Sequence, residues 1–460
     1  MKIKKEEDAI LNGVKKIHMI GIGGSGMCPL AEILHSRGYE LTGSDNNESD
    51  PLKRIRSLGI KVFMGHSAEN IAGAQLIVYS AAIGQDNPEL VAAAEKSIPT
   101  MERSHLLGAL TREYSKVIGV CGTHGKTTVT SILTQILYMS DFDPSAVIGG
   151  RLPLINANGR AGKSEYLVCE SCEFVDTFLQ MSPDMAVLLN IDNDHLDYFK
   201  TMDNLVASFR KFVHMSSIAV VNGDDKSVMQ TIKDYNGKKI TFGLSEGNDY
   251  IAKNIEAGKF GFKFEVYKGT EFISSLNLNI PGKHNVYNAL AAFAAAAEYG
   301  VKPEDIKKAI ECFNGAGRRF ERLGEFEGVT IADDYAHHPT EIKATLTASK
   351  QLGFDRVIAI FQPFTFSRTE LLKNEFIGAL SVADKVILMP IMGSREKNIT
   401  GISSKDLGDG LSDCVLADSF SDVADVIMNI CQSGDLVITM GGGDVYKAAH
   451  IIVERFKNKK

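Results

Sequence analysis

KVIGVCGTHGKTTVTSIL, residues 116–133, is the stretch on which the fold reading turns. Its opening residues form an apolar, β-branched run, the pattern of a strand buried on both faces. A helical pattern follows at once, with only the glycine loop Gly122–Gly125 between them. A strand passing through a glycine turn straight into a helix is a unit of a parallel α/β sheet. Backbone N–H groups at such a turn converge on one point and can surround phosphate oxygens. Lys126 is then placed to neutralise β- and γ-phosphates, and the Thr127 hydroxyl suits Mg²⁺, which takes oxygen ligands. The strict G-x-x-x-x-G-K-[ST] loop needs a glycine five residues before Gly125, where this chain has Val120. A glycine turn with a solvent lysine is the plain alternative. It does not explain why Gly-Lys-Thr-Thr falls directly between strand and helix.

A phosphate-bound Mg²⁺ also needs carboxylates. The strand EYLVCE ends on Glu170, with Glu173 just beyond it, and the strand MAVLLNI runs into DNDHLDYF with Asp192, Asp194, His195 and Asp197. Carboxyl ends of parallel strands open onto the ligand crevice. His195 there can ligate a metal or orient a phosphate, although a single His is more often structural.

Upstream, GIGGSG at residues 21–26 follows the strand KIHMI and opens the helix MCPLAEILHSRG. Gly21, Gly23 and Gly26 fit G-x-G-x-x-G, and Asp45 ends the next strand, where a ribose-binding acid sits in dinucleotide folds. These residues alone do not distinguish a nicotinamide cofactor from another nucleotide diphosphate, nor from a ligand-free turn. Downstream, GRRF brings Arg318 and Arg319 as candidate phosphate clamps. DDYAHHPTE places Asp333, Asp334, His337 and His338 after a strand, and MGGGD places Gly441–Gly443 at the end of the last strand. A surface charge cluster and a close strand–helix turn are the plain readings of these two.

Strands and helices alternate along the whole chain, which has 460 residues and exceeds one ordinary core. The expectation is a three-domain α/β protein. Residues 1–108 form a Rossmann-like domain, 109–315 a central domain with a mostly parallel, P-loop ATPase-like sheet, and 316–460 a second Rossmann-like domain. A β-rich patch is expected around 250–280, and the alanine-rich stretch HNVYNALAAFAAAAEYG reads as a helix stopped by Gly300.

The net charge of -7 argues against a nucleic-acid partner. No apolar run is long enough to span a bilayer, and MKIKKEEDAI lacks the apolar core of a signal peptide, so a cytoplasmic protein is expected. Seven cysteines do not suggest a disulfide framework. Cys169 and Cys172 have C-x-x-C spacing, but with no second ligand pair nearby they read as small packed side chains.

Taken in order, HMIGIGGSGM, GSD, GTHGKTT, NIDNDHLDYF, HNVYNALAA, GAGRRFE, DDYAHHPTE, FQPFTFSRT and MGGGD resemble the bacterial Mur ligase family over essentially the whole chain. In that family the ATP loop is shorter than the strict P-loop. The resemblance implies that the first domain binds the UDP of a sugar substrate, not a nicotinamide. It implies an ATP site of Gly122, Thr123, His124, Gly125, Lys126, Thr127 and Thr128, with Asn285, Asn288, Arg319 and Asp334, Asn288 facing adenine. Thr127, Glu170 and His195 would hold Mg²⁺ or Mn²⁺, and Lys126, His195 and Arg319 would carry catalysis. Gly23, Ser25, Gly26, Asp45, His66, Ser80, His338 and Arg368 would contact the other substrates.

The implied reaction joins L-alanine to UDP-N-acetylmuramate through an acyl phosphate, in a monomer or weak homodimer. A recycling ligase that adds a preformed murein peptide has a similar pattern. A nicotinamide oxidoreductase would use GIGGSG and Asp45 and leave GTHGKTT without a purpose. Two stretches depart from the family. CESCEFV stands where many relatives have an AEADESD-like run, and FQPF, with Phe364, where they have FQPH. Arg368 is kept. His195 and His338 are the candidates for the base that receives the amine proton.

Overall fold

The computed structural model describes residues 10–193, 196–258, 260–393 and 396–459. The chain divides into two compact units. One runs from the N-terminal region to Glu256 and takes in Lys263–Leu278 and His284–Phe313. The other comprises Ala257–Phe262, Asn279–Lys283 and the chain from Asn314 onward.

The first sheet has five strands: β1 (Lys16–Ile20), β2 (Glu40–Asp45), β3 (Lys61–Met64), β4 (Leu76–Tyr79) and β5 (Thr100–Glu102). All pair in parallel, in the order β3-β2-β1-β4-β5. The order reverses between β1 and β4, so a crevice opens at the carboxyl end of β1, where Gly21–Gly26 turns into the helix Cys28–Ser36. Glycine is required at 21, whose φ is +74°.

The second sheet has ten strands: β6 (Lys116–Cys121), β7 (Ser145–Leu152), β8 (Ala157–Arg160), β9 (Tyr166–Glu170), β10 (Met185–Leu188), β11 (Ile218–Asn222), β12 (Lys238–Gly243), β13 (Tyr250–Ala257), β14 (Phe262–Lys268) and β15 (Glu271–Leu278). Their order is β15-β14-β13-β12-β11-β10-β6-β9-β7-β8. β6 is central, flanked in parallel by β9 and β10, and is buried from Val117 to Cys121. The β-rich patch expected at 250–280 is the edge β13–β15. The helix Lys126–Met139 packs on the helix His284–Glu298, whose alanines 289, 291, 292 and 294–296 are fully buried. Small side chains let the two helices approach closely and press against the sheet.

The third sheet lies in the second unit: β16 (Glu321–Phe326), β17 (Val329–Asp334), β18 (Arg356–Phe361), β19 (Lys385–Leu388), β20 (Cys414–Leu416) and β21 (Asp435–Met440). Its order is β16-β17-β21-β18-β19-β20, with only β16 antiparallel to its neighbour.

Residue 108, expected near a domain joint, lies inside the helix Arg103–Glu113. A side chain at Gly108 would collide with the Gln180 carbonyl, so this helix is seated directly on the central domain. Several elements carried no clear signal in the sequence. β3, β5 and β20 are only three or four residues long and sit at sheet edges, too short for a period to register.

Candidate active site

β6 delivers the glycine loop to the middle of the second sheet's carboxyl edge. Gly122 and Gly125 have φ of +133° and +87°, values that side-chain-bearing residues avoid. Gly125 has a second reason to be glycine: a Cβ there would meet Asn288 Oδ1. Asn288 is held in turn by Asn285, its Nδ2 donating to Asn285 Oδ1 at 2.8 Å, and both are buried. Asn288, expected at adenine, thus stands directly behind the loop.

The loop is fastened to the end of β10. His124 N donates to Asn190 Oδ1 at 2.8 Å, and Asn190 Nδ2 donates to the His124 carbonyl at 3.0 Å. Thr123 N donates to the Asn190 carbonyl at 3.1 Å, and Thr123 Oγ1 accepts from Asp192 N at 2.9 Å. Asn190 is a loop anchor that motif reading did not single out, although it opens the NIDNDH stretch.

Lys126 Nζ donates to the Gly122 and Thr123 carbonyls at 2.6 and 3.0 Å and pairs with Glu173 Oε2 at 3.0 Å. Glu173 is only 1% exposed. Desolvation, the largest single influence, works against the ammonium, but Glu173 together with nearby Cys172 and Glu170 outweighs it and holds the Lys126 pKa above the ordinary lysine value. Thr127 Oγ1 donates to Glu170 Oε2 at 2.9 Å, and Gly149 N donates to the same oxygen at 2.8 Å. Two of the three expected metal ligands are therefore side by side. Asp194, His195 and the side chain of Asp197 lie outside the described residues.

The turn after Glu173 is under backbone strain. Val175 and Asp176 both adopt left-handed φ, +54° and +57°, and a β-branched residue there is a genuine outlier. All seven cysteines are free; Cys169 is buried, whereas Cys172 is exposed beside Glu173 and is not the packed side chain expected.

At the first sheet, Asp45 reaches back to the glycine loop. Its Oδ2 accepts from Gly23 N at 3.0 Å and its Oδ1 from Asn47 N at 3.0 Å. A Cβ at Gly23 would lie 3.0 Å from that carboxylate, and one at Gly21 would meet Ser80 and Ile83. Ser80 is thus beside the loop, and Ser25 is exposed on it. His66 Nδ1 lies 3.0 Å from Glu89 Oε2 and 3.2 Å from Ser44 Oγ. An ionised carboxylate only accepts, so Nδ1 is a ring nitrogen that carries a proton. Glu89, fully buried, also takes Ser44 Oγ at 2.7 Å and Asn70 Nδ2 at 2.6 Å, and stands 3.5 Å from His18 Nε2.

In the second unit the two adjacent arginines differ. Arg318 does not present a phosphate clamp. Its Nε pairs with Asp333 at 3.0 Å, its terminal nitrogens donate to the Gly443 and Gly441 carbonyls, and its guanidinium lies between the Tyr335 and Tyr446 rings, 4.9 Å from each. The Gly441–Gly443 turn accordingly aims two carbonyls at an arginine, the close strand–helix turn of its plain reading. Burial pushes Asp333 up to about 6, against the pull of Arg318. Arg319 lies 5.4 Å over the Tyr335 ring. Asp334 accepts from Phe320 N and Ala336 N, each at 2.7 Å. Burial raises its pKa and nearby Arg319 opposes this. His338 caps the helix Pro339–Gln351 in a capping box with Glu341. Arg368 lies on the helix Phe366–Leu371, after Thr365 in left-handed φ of +67°.

Loss of Asp45 removes a charged acceptor from a loop N–H. Asp45→Ala is expected to weaken ligand binding at the Gly21–Gly26 loop about 10-fold or more and leave binding at the Gly122–Gly125 loop intact. Calorimetric titration of each ligand checks this; equal losses for both would contradict it.

Known proteins carry the same sequence of parts. The Mur ligase family catalytic domain model matches residues 16–115, the Mur ligase middle domain model 120–296 and the Mur ligase glutamate ligase domain model 318–443. The UDP-N-acetylmuramate–L-alanine ligase of Caldicellulosiruptor bescii is 44% identical over 450 residues, covering 96% of this chain and 99% of its own. That of Clostridium novyi is 42% identical over 447 residues, covering 96% and 97%. The crystal structure of the UDP-N-acetylmuramate–alanine ligase of Thermotoga maritima superposes with a TM-score of 0.85 at 28% identity, covering 97% of this chain and all of that one. A murein peptide ligase from Psychrobacter arcticus shares the fold, with a TM-score of 0.73 at 24% identity. Three consecutive domain matches around the short phosphate loop, with full-length relatives on both sides, place the chain in one family: it belongs to the Mur ligases.

Proposed function

We propose that this protein is an ATP-dependent ligase that joins L-alanine to the carboxylate of UDP-N-acetylmuramate, a step of peptidoglycan precursor synthesis in the cytoplasm. Residues 1–108 would hold the UDP-sugar, 109–315 ATP, and 316–460 would close on ATP and the amino acid. The observation that carries this is the presence of two glycine-loop cradles, Gly21–Gly26 and Gly122–Gly125, at the carboxyl ends of parallel strands in two sheets of one compact unit. A nicotinamide oxidoreductase has no use for the second cradle. No helix among the described residues is long and apolar enough to cross a membrane.

The chemistry follows from the acid being a poor acylating agent. The muramoyl carboxylate attacks the γ-phosphorus, ADP leaves, and an acyl phosphate forms. The alanine amine then attacks the acyl carbon and phosphate departs. Lys126 exchanges Glu173 and the loop carbonyls for phosphate oxygens, and Arg319 adds a second cation; stabilising charge that develops on the phosphoryl oxygens is the main lever in such transfers. Thr127 and Glu170 would supply the hard oxygen donors that Mg²⁺ or Mn²⁺ takes, with His195 as the third ligand. That ion, when bound, neutralises phosphate charge. Exclusion of water by the third domain protects the acyl phosphate from hydrolysis.

Incubation with UDP-N-acetylmuramate, ATP and either L-alanine or the murein tripeptide tests the reading. ADP release and a product heavier by one alanine residue are expected with alanine. Turnover with the tripeptide alone would reassign the protein to peptide recycling.

A further inference from the structure

Gly26, the last glycine of the first loop, has a neighbour that its sequence context does not reveal. A Cβ at this position would lie 3.1 Å from Arg103 Nη1, 3.3 Å from its Cδ and 3.4 Å from its Cζ. The guanidinium is laid close over the Cα of Gly26, and a side chain there would press it aside. Arg103 is the first residue of the helix Arg103–Glu113, directly after β5, and is partly exposed.

The acid beside it in sequence is engaged elsewhere. Glu102 caps the helix, its Oε2 accepting from Ser104 N at 3.1 Å and from Ser104 Oγ. Among the described residues no carboxylate pairs with Arg103. Arg103 also lines a cleft together with Glu170 and Cys172, which stand at the edge of the ATP cradle. An always-charged fork, unneutralised, thus lies against a loop whose N–H groups and helix N-terminus are themselves electropositive. Such an arrangement is unfavourable until an anion enters it.

We propose that Arg103 is a substrate-binding residue that grips the diphosphate of the sugar nucleotide from the side facing the ATP cradle. This rests on the function proposed above and adds a specific phosphate contact to it. Two parallel N–H donors match phosphate oxygens in a way a lysine does not. By fixing the diphosphate on the side of Glu170, Arg103 sets the direction in which the sugar and its carboxylate extend toward the γ-phosphate.

The test is calorimetric titration of UDP-N-acetylmuramate, UDP, uridine and ATP into the wild type, Arg103→Ala and Arg103→Lys, with steady-state kinetics beside it. In Arg103→Ala, affinity for UDP and the UDP-sugar should fall about 10- to 100-fold, while uridine and ATP bind as before. KM for the UDP-sugar should rise more than kcat falls. Arg103→Lys, which keeps the charge and bulk, should recover part of the affinity. UDP affinity within about twofold of wild type in Arg103→Ala, or an equal loss for uridine, would overturn the proposal. A wild type that binds neither UDP nor the UDP-sugar would instead remove the function on which it rests.

Discussion

Lys126→Ala is expected to abolish ligation, lowering kcat by about a thousandfold or more, while UDP-N-acetylmuramate still binds. The lysine is the only side-chain cation within bonding distance of the Gly122–Gly125 loop among the described residues, and its ammonium already touches the loop carbonyls that frame a phosphate. The same substitution has a structural cost. Glu173 is 1% exposed and would lose its ion-pair partner; stranding a buried carboxylate costs on the order of 3–5 kcal/mol. Loss of activity alone is therefore ambiguous. The double variant Lys126→Met/Glu173→Gln separates the two effects, because it removes the pair without leaving a charge behind. Its thermal midpoint should return toward the wild type, and its phosphate release should remain at the level of Lys126→Ala. Near-normal turnover in either variant would remove the phosphate role of Lys126.

Much of this site was legible in the sequence because strand–glycine–helix junctions are local. β6 with its loop, β1 with Gly21–Gly26 and the carboxylates after β9 each occupy a few consecutive residues, and the doubly wound topology brings strand ends to one edge. What the sequence could not convey depends on residues far apart along the chain. Arg318 and Arg319 are chemically alike and adjacent. Only the pairing of Arg318, in left-handed φ of +60°, with Asp333, the Gly441 and Gly443 carbonyls and the Tyr446 ring decides which is structural.

Gly26 follows the same rule. Within its motif it reads as room for helix packing, whereas in the fold it makes room for Arg103. Asp45 sits at the position of a ribose acid, yet its carboxylate reaches Gly23 N and so also shapes the loop. Asp334, expected at ATP, has both oxygens engaged by backbone N–H groups. His18 was the most thoroughly hidden. It is a buried polar residue inside KIHMI, and its partner Glu89 comes from a helix three strands later.

That hidden cluster carries the second large effect. Glu89 is fully buried, which alone would raise its pKa, yet the nearby His18 ring and hydrogen bonds from Ser44 and Asn70 reverse this and hold it at about 2, below the ordinary 4.5. A carboxylate with a depressed folded pKa stabilises the protein above its unfolded pKa, and that contribution is lost as pH falls through the folded value. A tenfold difference in proton affinity between the folded and unfolded chain is worth about 1.4 kcal/mol, so on the order of 3 kcal/mol should disappear between about pH 5 and pH 2. Glu89→Gln should flatten this part of the stability curve, because an amide does not titrate. It should also weaken UDP-sugar binding, since a neutral partner that can donate as well as accept no longer fixes the proton on His66 Nδ1. Glu89→Ala should be the most damaging variant, leaving Asn70 and Ser44 without their buried acceptor at about 1–3 kcal/mol each. Denaturant titrations across that pH range are the measurement. Parallel slopes for wild type and Glu89→Gln would show that the carboxylate is not the titrating group. A flattened slope with unchanged UDP affinity would confine the cluster to stability and separate it from recognition by His66.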